Sequence, residues 1–109
     1  MGARIHVTEA ESELLEALWR AGPLSPARLF DEVRLRRDWR DATIKTLLAR
    51  LMQKQAVRSE RADGRLVYRP LIARETYLAG EVEALVDRLF GGDAAALQRF
   101  LACPGAATA

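Results

Sequence analysis

The sequence predicts a mainly α fold of the α+β class: a winged helix-turn-helix with C-terminal dimerisation helices. Three observations lead there. Amphipathic helical segments fill residues 8–54, two short strands joined through Asp63-Gly64 follow at once, and helical spacing returns after Pro70. Three helices and then a hairpin is the winged-helix order, in which the third helix presents its outer face to a major groove. The expected organisation is a winged-helix domain at residues 1–71, a helical dimerisation region at 72–103 and a disordered tail at 104–109.

Each element has its own signal. Thr8 with Glu11 forms a capping box, and Leu14, Leu15, Leu18 and Trp19 follow as one apolar face. Gly22-Pro23 stops that helix. Ser25 as N-cap and Pro26 at the first helical position start a second one, with Leu29, Phe30 and Val33 facing inward and an end near Leu35. In the connector 36–40 only Trp39 is apolar, and its indole is expected against the helix junction. The third helix runs from about Asp41, the expected N-cap, to Lys54, and Gln55 stands where a glycine exit would be usual. Strands at 57–61 and 65–69 flank the turn, since Asp and Gly both tolerate positive φ. An isolated hairpin is marginal, so Val57, Tyr68 and either Leu66 or Val67 must pack inward.

The C-terminal part is helical from about Arg74 to Phe90, with Leu78, Val82, Leu85, Val86, Leu89 and Phe90 at helical spacing. Gly91-Gly92 breaks it, and Asp93 caps a last helix bearing Leu97, Phe100 and Leu101. This is more apolar surface than a small winged helix needs for itself, so a second copy of the chain is the expected partner for these nine side chains. The rival arrangement folds the long helix back on its own domain.

Composition narrows the function classes. Of 109 residues, 50% are apolar and 29% charged, ordinary for a soluble domain. No apolar run approaches a membrane span, and the N-terminus lacks a signal-peptide pattern, so a cytoplasmic location is expected. The lone Cys103 fits a reducing compartment, and with His6 it cannot build a zinc site. There is no Gly-rich phosphate loop and no nucleophile paired with a base, and Glu81 and Glu83 point to different sides of a helix. Neither an enzyme nor a cofactor is expected.

Charge distribution is more telling than the net +2. Residues 34–69 hold eleven Lys/Arg against four acids, while acids predominate both before and after that stretch. Concentrated charge of this kind steers a polyanion to one face. The third helix lies inside it. Its apolar stripe is Ile44, Leu47, Leu48, Leu51 and Met52, and its other side carries Ala42, Thr43, Lys45, Thr46, Gln53 and Arg50. Small and hydroxyl side chains let a helix approach base edges closely, and Thr43 and Thr46 offer both a hydroxyl and a methyl. Lys45 reaches a guanine edge or a phosphate, and Ala42 keeps the helix end slim. Arg50 and Lys54 suit phosphates. Ser25, with the amides after it, suits a phosphate at the second helix, and Arg65 beside Gly64 suits the minor groove or backbone. The bland alternatives are a first-turn role for Thr43, solvated surface for Arg50 and Lys54, and a simple turn residue for Arg65.

These residues carry a family resemblance. The run Asp38-Trp39-Arg40-Asp41-Ala42-Thr43-Ile44-Lys45-Thr46-Leu47-Leu48-Ala49-Arg50-Leu51 resembles the recognition segment of the penicillinase-repressor family, the BlaI/MecI/CopY type. Thr8-Glu9-Ala10-Glu11 with Leu18-Trp19 resembles its first helix, Asp63-Gly64-Arg65 with Tyr68 and Pro70 its wing, and Leu89-Phe90-Gly91-Gly92 its late helix junction. The likeness covers roughly residues 5–101. It implies a homodimeric repressor on an inverted-repeat, double-stranded DNA operator, upstream of β-lactam-resistance or copper-homeostasis genes. Ala42, Thr43, Lys45 and Thr46 would make contacts from the recognition helix, and Gly64-Arg65 from the wing.

The sequence also departs from that pattern. Arg40 stands where relatives often have a capping Ser, and Gln55 where Gly is frequent. The bond at which proteolytically controlled relatives are cut, Asn-Phe, is matched by Arg99-Phe100, and the cysteines of copper-responsive relatives are matched only by Cys103. The chain stops soon after Leu101, where relatives commonly carry another charged helix, so a shorter dimer interface is expected. An inducer or sensor protein is the remaining partner, and these residues do not identify it. The alternative functional reading is a winged-helix protein-interaction module without DNA binding; it has no use for one-sided charge.

Overall fold

Helix α1 (Glu9–Ala21) opens on the predicted capping box, in which the Glu11 amide donates to Thr8 Oγ1 and the Thr8 amide to Glu11 Oε1, each at 3.1 Å. The computed structural model from which this geometry is read describes residues 5–103. Leu14, Leu15 and Leu18 are buried as expected, and the half-buried Trp19 donates its indole N–H to the Ile72 carbonyl at 2.9 Å. The helix ends at Gly22 (φ 85°), whose amide returns to the Leu18 carbonyl. Helix α2 (Pro26–Arg34) starts with the Arg28 amide bonded to Ser25 Oγ at 3.3 Å and buries Leu29 and Val33.

Helix α3 (Asp41–Gln53) begins and ends differently from the sequence expectation. Asp41 is its first helical residue, not its cap. Arg40 takes the cap position in extended backbone (φ −79°, ψ 162°) and supplies no side-chain cap bond. The Asp41 carboxylate instead pairs with Arg34, while its charge still meets the positive helix end. Ile44, Leu47, Leu48 and Leu51 are buried, whereas Met52, expected in the same stripe, is 36% exposed at its edge. The exit uses the geometry a glycine would give. Gln55 adopts φ 64°, the Gln55 amide reaches the Met52 carbonyl at 3.0 Å, and the buried Ala56 amide reaches Leu51 at 2.9 Å. That is a Schellman close built on a glutamine.

Strands β1 (Val57–Ala62) and β2 (Arg65–Pro70) pair antiparallel, Val57 opposite Pro70 and Ala62 opposite Arg65, each one residue longer than expected. Asp63 (φ 54°) and Gly64 (φ 77°) make the tight turn with positive φ at both central positions. Val57 is buried, Val67 and Tyr68 are half-buried and Leu66 is exposed, so Val67 is the less exposed of the open pair, although strand alternation puts it on the opposite face from Tyr68. The wing is also held by main chain. Leu24, between α1 and α2, exchanges two hydrogen bonds with Tyr68, at 3.2 and 2.8 Å, and becomes a one-residue third strand.

The chain divides into two units, one ending at Arg74 and the next beginning at Glu75. The first has its core among Leu14, Leu15, Leu18, Leu29, Val33, Ile44, Leu51 and Val57. The second holds α4 (Arg74–Phe90) and α5 (Ala94–Ala102), the latter capped by the Asp93 side chain on the Ala96 amide at 3.2 Å. The expected disordered tail at 104–109 lies outside the described residues.

Candidate nucleic-acid interface

The helical period gives α3 two unlike faces. Four aliphatic side chains hold it to the core, and Ala42, Thr43, Lys45, Thr46 and Arg50 are all exposed on the other side. Ala42, Thr43, Thr46, Leu47 and Arg50 line one shallow depression. Thr46 Oγ1 donates to the Ala42 carbonyl at 2.9 Å, so its lone pairs and methyl, not its proton, are what it has left to offer. Thr43 makes no side-chain hydrogen bond among the described residues. A second groove lies between the start of α2 and the wing, lined by Pro23, Leu24, Ser25, Arg28, Ala62, Asp63, Arg65 and Val67. The Leu24–Tyr68 bridge fixes its floor, because it ties the segment before Ser25 to the strand after Arg65.

The cations of the first unit are sorted. Arg36 and Arg37 both reach Glu13, at 3.7 and 2.9 Å, and Arg37 lies over the half-buried Trp39 ring, which therefore packs beside the connector. Arg34 holds Asp41 and the Trp39 carbonyl. Arg58 and Arg69 sit opposite one another across the hairpin and share Glu60, at 3.0 and 2.7 Å. Those two bonds, led by Arg69, outweigh partial desolvation and hold the Glu60 carboxyl below the usual carboxylate range. Arg61 turns back to the Gly64 carbonyl. Arg20 and Arg74 pair with Glu32 and Glu16. Among the described residues of this unit, Arg28, Arg40, Lys45, Arg50 and Arg65 are left without an acid or carbonyl partner; four stand on α2, α3 or the wing, and Arg40 is the N-cap of α3.

Lys54 does not belong to that free set. The sequence suggested a phosphate contact, but its ammonium donates to Glu11 Oε1 at 2.5 Å and to the His6 carbonyl at 2.8 Å. Glu11 is 1% exposed, and a carboxylate so buried needs a counter-charge. Burial raises the Glu11 pKa, yet the bonds from Lys54 and the Thr8 backbone outweigh it and leave the carboxyl below its ordinary 4.5. Lys54 thus bolts the end of α3 to the start of α1.

Two further cations stand out in the structure. Arg28 follows Ser25 by one turn and lines the α2–wing groove. Arg40 directly precedes the recognition face, noted in the sequence only for the cap it lacks. Neither has an isolated sequence signal; spacing from an identified N-cap was the available clue.

In the second unit, Leu78, Val82, Leu89, Phe100 and Leu101 are exposed, by 37% to 66%, and Leu85, Phe90 and Leu97 are half-buried. Val86 departs from the expected interface set, because it is only 6% exposed in the single chain and its burial is already complete. Phe90 and Phe100 meet at a tilt of 53°, 6.1 Å between ring centroids, joining α4 to α5. Among the described residues, no acid, His or Cys cluster could hold a metal ion, and no helix is long and apolar enough to cross a membrane.

The comparisons fit this geometry. The chain is similar to an uncharacterised 16.5 kDa protein of Latilactobacillus sakei (29% identical over 85 residues), covering 78% of this chain but 58% of that one. It is also similar to the penicillinase repressors of Bacillus licheniformis (24% identical; 79% of this chain, 67% of the relative) and Staphylococcus aureus (21%; 83% and 71%). Among solved structures it is similar to the Bacillus licheniformis BlaI monomer in complex with the blaP half-operator (27% identical, TM-score 0.61, 68% of this chain and 92% of that one). The DNA-binding domain of the repressor BlaI aligns comparably (26% identical, TM-score 0.60, 71% and 94%). The architecture is that winged helix, and the two named relatives are repressors. The family model described as penicillinase repressor runs from Val7 through Cys103, across both units, and the chain belongs to that family.

Proposed function

We propose that the chain is a sequence-specific transcriptional repressor of the cytoplasm, acting as a homodimer on an inverted-repeat operator in duplex DNA. Residues 1–71 bind the DNA and residues 72–103 join the two copies. The observation that carries this reading is the sorting of charge: among the described residues of the first unit, the cations without partners gather at α3 and its N-cap, the start of α2 and the wing, and small or hydroxyl side chains lie between them. The complex of the similar BlaI chain with its half-operator supports the same partner.

In this reading α3 enters the major groove. Thr43, Lys45 and Thr46 meet base edges, and Ala42 keeps the approach close. Arg50 lies further along the helix, at the phosphate ridge. Ser25 and Arg28 at α2, with Gly64 and Arg65 at the wing, grip the flanking backbone. The exposed side chains of α4 and α5 bury one another about a two-fold axis, so the operator mirrors that symmetry.

The test is selection of tight-binding duplexes from a random pool, followed by affinity measurements across a salt series. The selected sequences should contain two inverted half-sites about one helical turn or a multiple apart. Affinity should fall as a power of salt concentration, with a log–log slope near −0.9 per phosphate neutralised. Salt-insensitive association, or a pool that never converges, would refute the proposal.

A further inference from the structure

Arg40 is the first-unit cation whose placement is hardest to explain by stability. It occupies the N-cap of α3, where a short polar side chain would satisfy a free amide, and it makes no such bond. Its positive charge also sits at the positive end of the helix. The neighbouring arginines are all retained by the protein: Arg34, at the end of α2, by Asp41, and Arg36 and Arg37 by Glu13. Arg40 alone in this group has no partner and is exposed, beside the short side chains of Asp41, Ala42 and Thr43. Nothing in that first turn is long enough to shield a base edge from a guanidinium.

We propose that Arg40 is a specificity-determining residue, reading a guanine through its O6 and N7 at the edge of the half-site covered by Ala42, Thr43, Lys45 and Thr46. The inference rests on the proposed DNA-binding function and adds a base contact to it. A planar fork with two parallel donors matches guanine's two major-groove acceptors, and no other base pair presents that pair of acceptors on one base. A phosphate would accept the same guanidinium without information about sequence. Between these two, the absence of a fixed partner and the lack of bulk in the adjoining turn favour the base.

The experiment compares the native protein with Arg40→Ser and Arg40→Lys in selection from random duplexes, in affinity on matched operators, and in thermal melting. With the native protein, one position in each half-site should select guanine, and replacing that guanine should weaken binding about ten- to hundred-fold. Arg40→Ser should lose the preference at that position alone. It should also melt about 4 °C higher or more, because serine supplies the missing cap. Arg40→Lys keeps the charge without the fork and should retain affinity for scrambled DNA while discriminating poorly. If Arg40→Ser selects the same consensus as the native protein and weakens all duplexes equally, Arg40 is a phosphate contact and the inference is overturned. If the native protein selects no consensus at all, it is the underlying repressor reading that fails.

Discussion

Gln55 adopts a backbone conformation that costs a side-chain-bearing residue about 1 kcal/mol more than glycine. The α3 exit needs it there, because only with φ near 64° do the Gln55 and Ala56 amides reach Met52 and Leu51. Gln55→Gly should therefore raise unfolding stability by about 0.5–1 kcal/mol, measurable by urea denaturation. A destabilised variant would mean that the glutamine side chain itself holds the turn. The Glu11–Lys54 pair makes a second residue-scale prediction. The folded Glu11 carboxyl has a lowered pKa, so its stabilisation is complete above the ordinary 4.5 and disappears as pH falls through the folded value. Stability should be flat near neutrality and fall below about pH 4.5, and Glu11→Gln should flatten that acid limb. At pH 7 the same substitution should cost about 2 kcal/mol, since it leaves a hydrogen-bonded ammonium without its counter-charge. Equal acid limbs in the two proteins would count against the linkage. On the DNA side, Thr46→Ala should reduce discrimination between operator and scrambled duplex, while Arg50→Ala should weaken both alike and flatten the salt slope by about one unit. Mobility-shift titrations of both variants read the difference.

At the scale of elements, much of the first unit was legible. The two faces of α3 follow from a 3.6-residue period that places Ile44, Leu47, Leu48 and Leu51 together and Ala42, Thr43, Lys45, Thr46 and Arg50 apart from them. The capping box of α1, the Ser25-Pro26 start of α2 and the Asp63-Gly64 turn are local chemistry, and they were read correctly as such. What escaped was either main chain or distant. The Leu24–Tyr68 bridge is made of backbone groups and leaves no side-chain signature. Lys54 looked like a surface cation because its partner Glu11 lies 43 residues away. The α3 cap differs from the sequence expectation because Asp41 is a favourable capping residue in isolation, whereas the pull of Arg34 from the preceding helix is a tertiary effect. The bridge carries a prediction of its own. Tyr68→Pro removes the amide that donates to Leu24 and should detach the wing from the α2 start. Hydrogen exchange should then quicken in β1 and β2 before it quickens in α3, and uniform loss of protection would argue instead for collapse of the whole unit.

For the whole molecule, the second unit has too little of its own interior to bury what it carries. Val86 is enclosed, yet Val82 and Leu89 remain about half exposed. In the proposed dimer these side chains meet their copies. Val82→Glu with Leu89→Glu should shift the protein to monomer in analytical ultracentrifugation and shorten its footprint to one half-site. The first unit should melt with little change. A native protein already monomeric at micromolar concentration would remove the basis for that expectation. The family assignment spans both units, whereas the solved structures with the similar fold cover 68% and 71% of the chain.

Two carboxylates outside the exposed face of α3 have a bearing on how such a protein would find its target. Glu13 occupies Arg36 and Arg37, and Glu60 occupies Arg58 and Arg69. Each guanidinium so detained is one that does not cling to arbitrary chromosomal sequence, where affinity grows with every phosphate neutralised. A repressor must reject an enormous excess of wrong addresses, and its occupancy of the right one depends on the ratio of the two affinities. In the proposed function Glu13 and Glu60 would work on the denominator of that ratio, restraining promiscuous sticking without touching the destination.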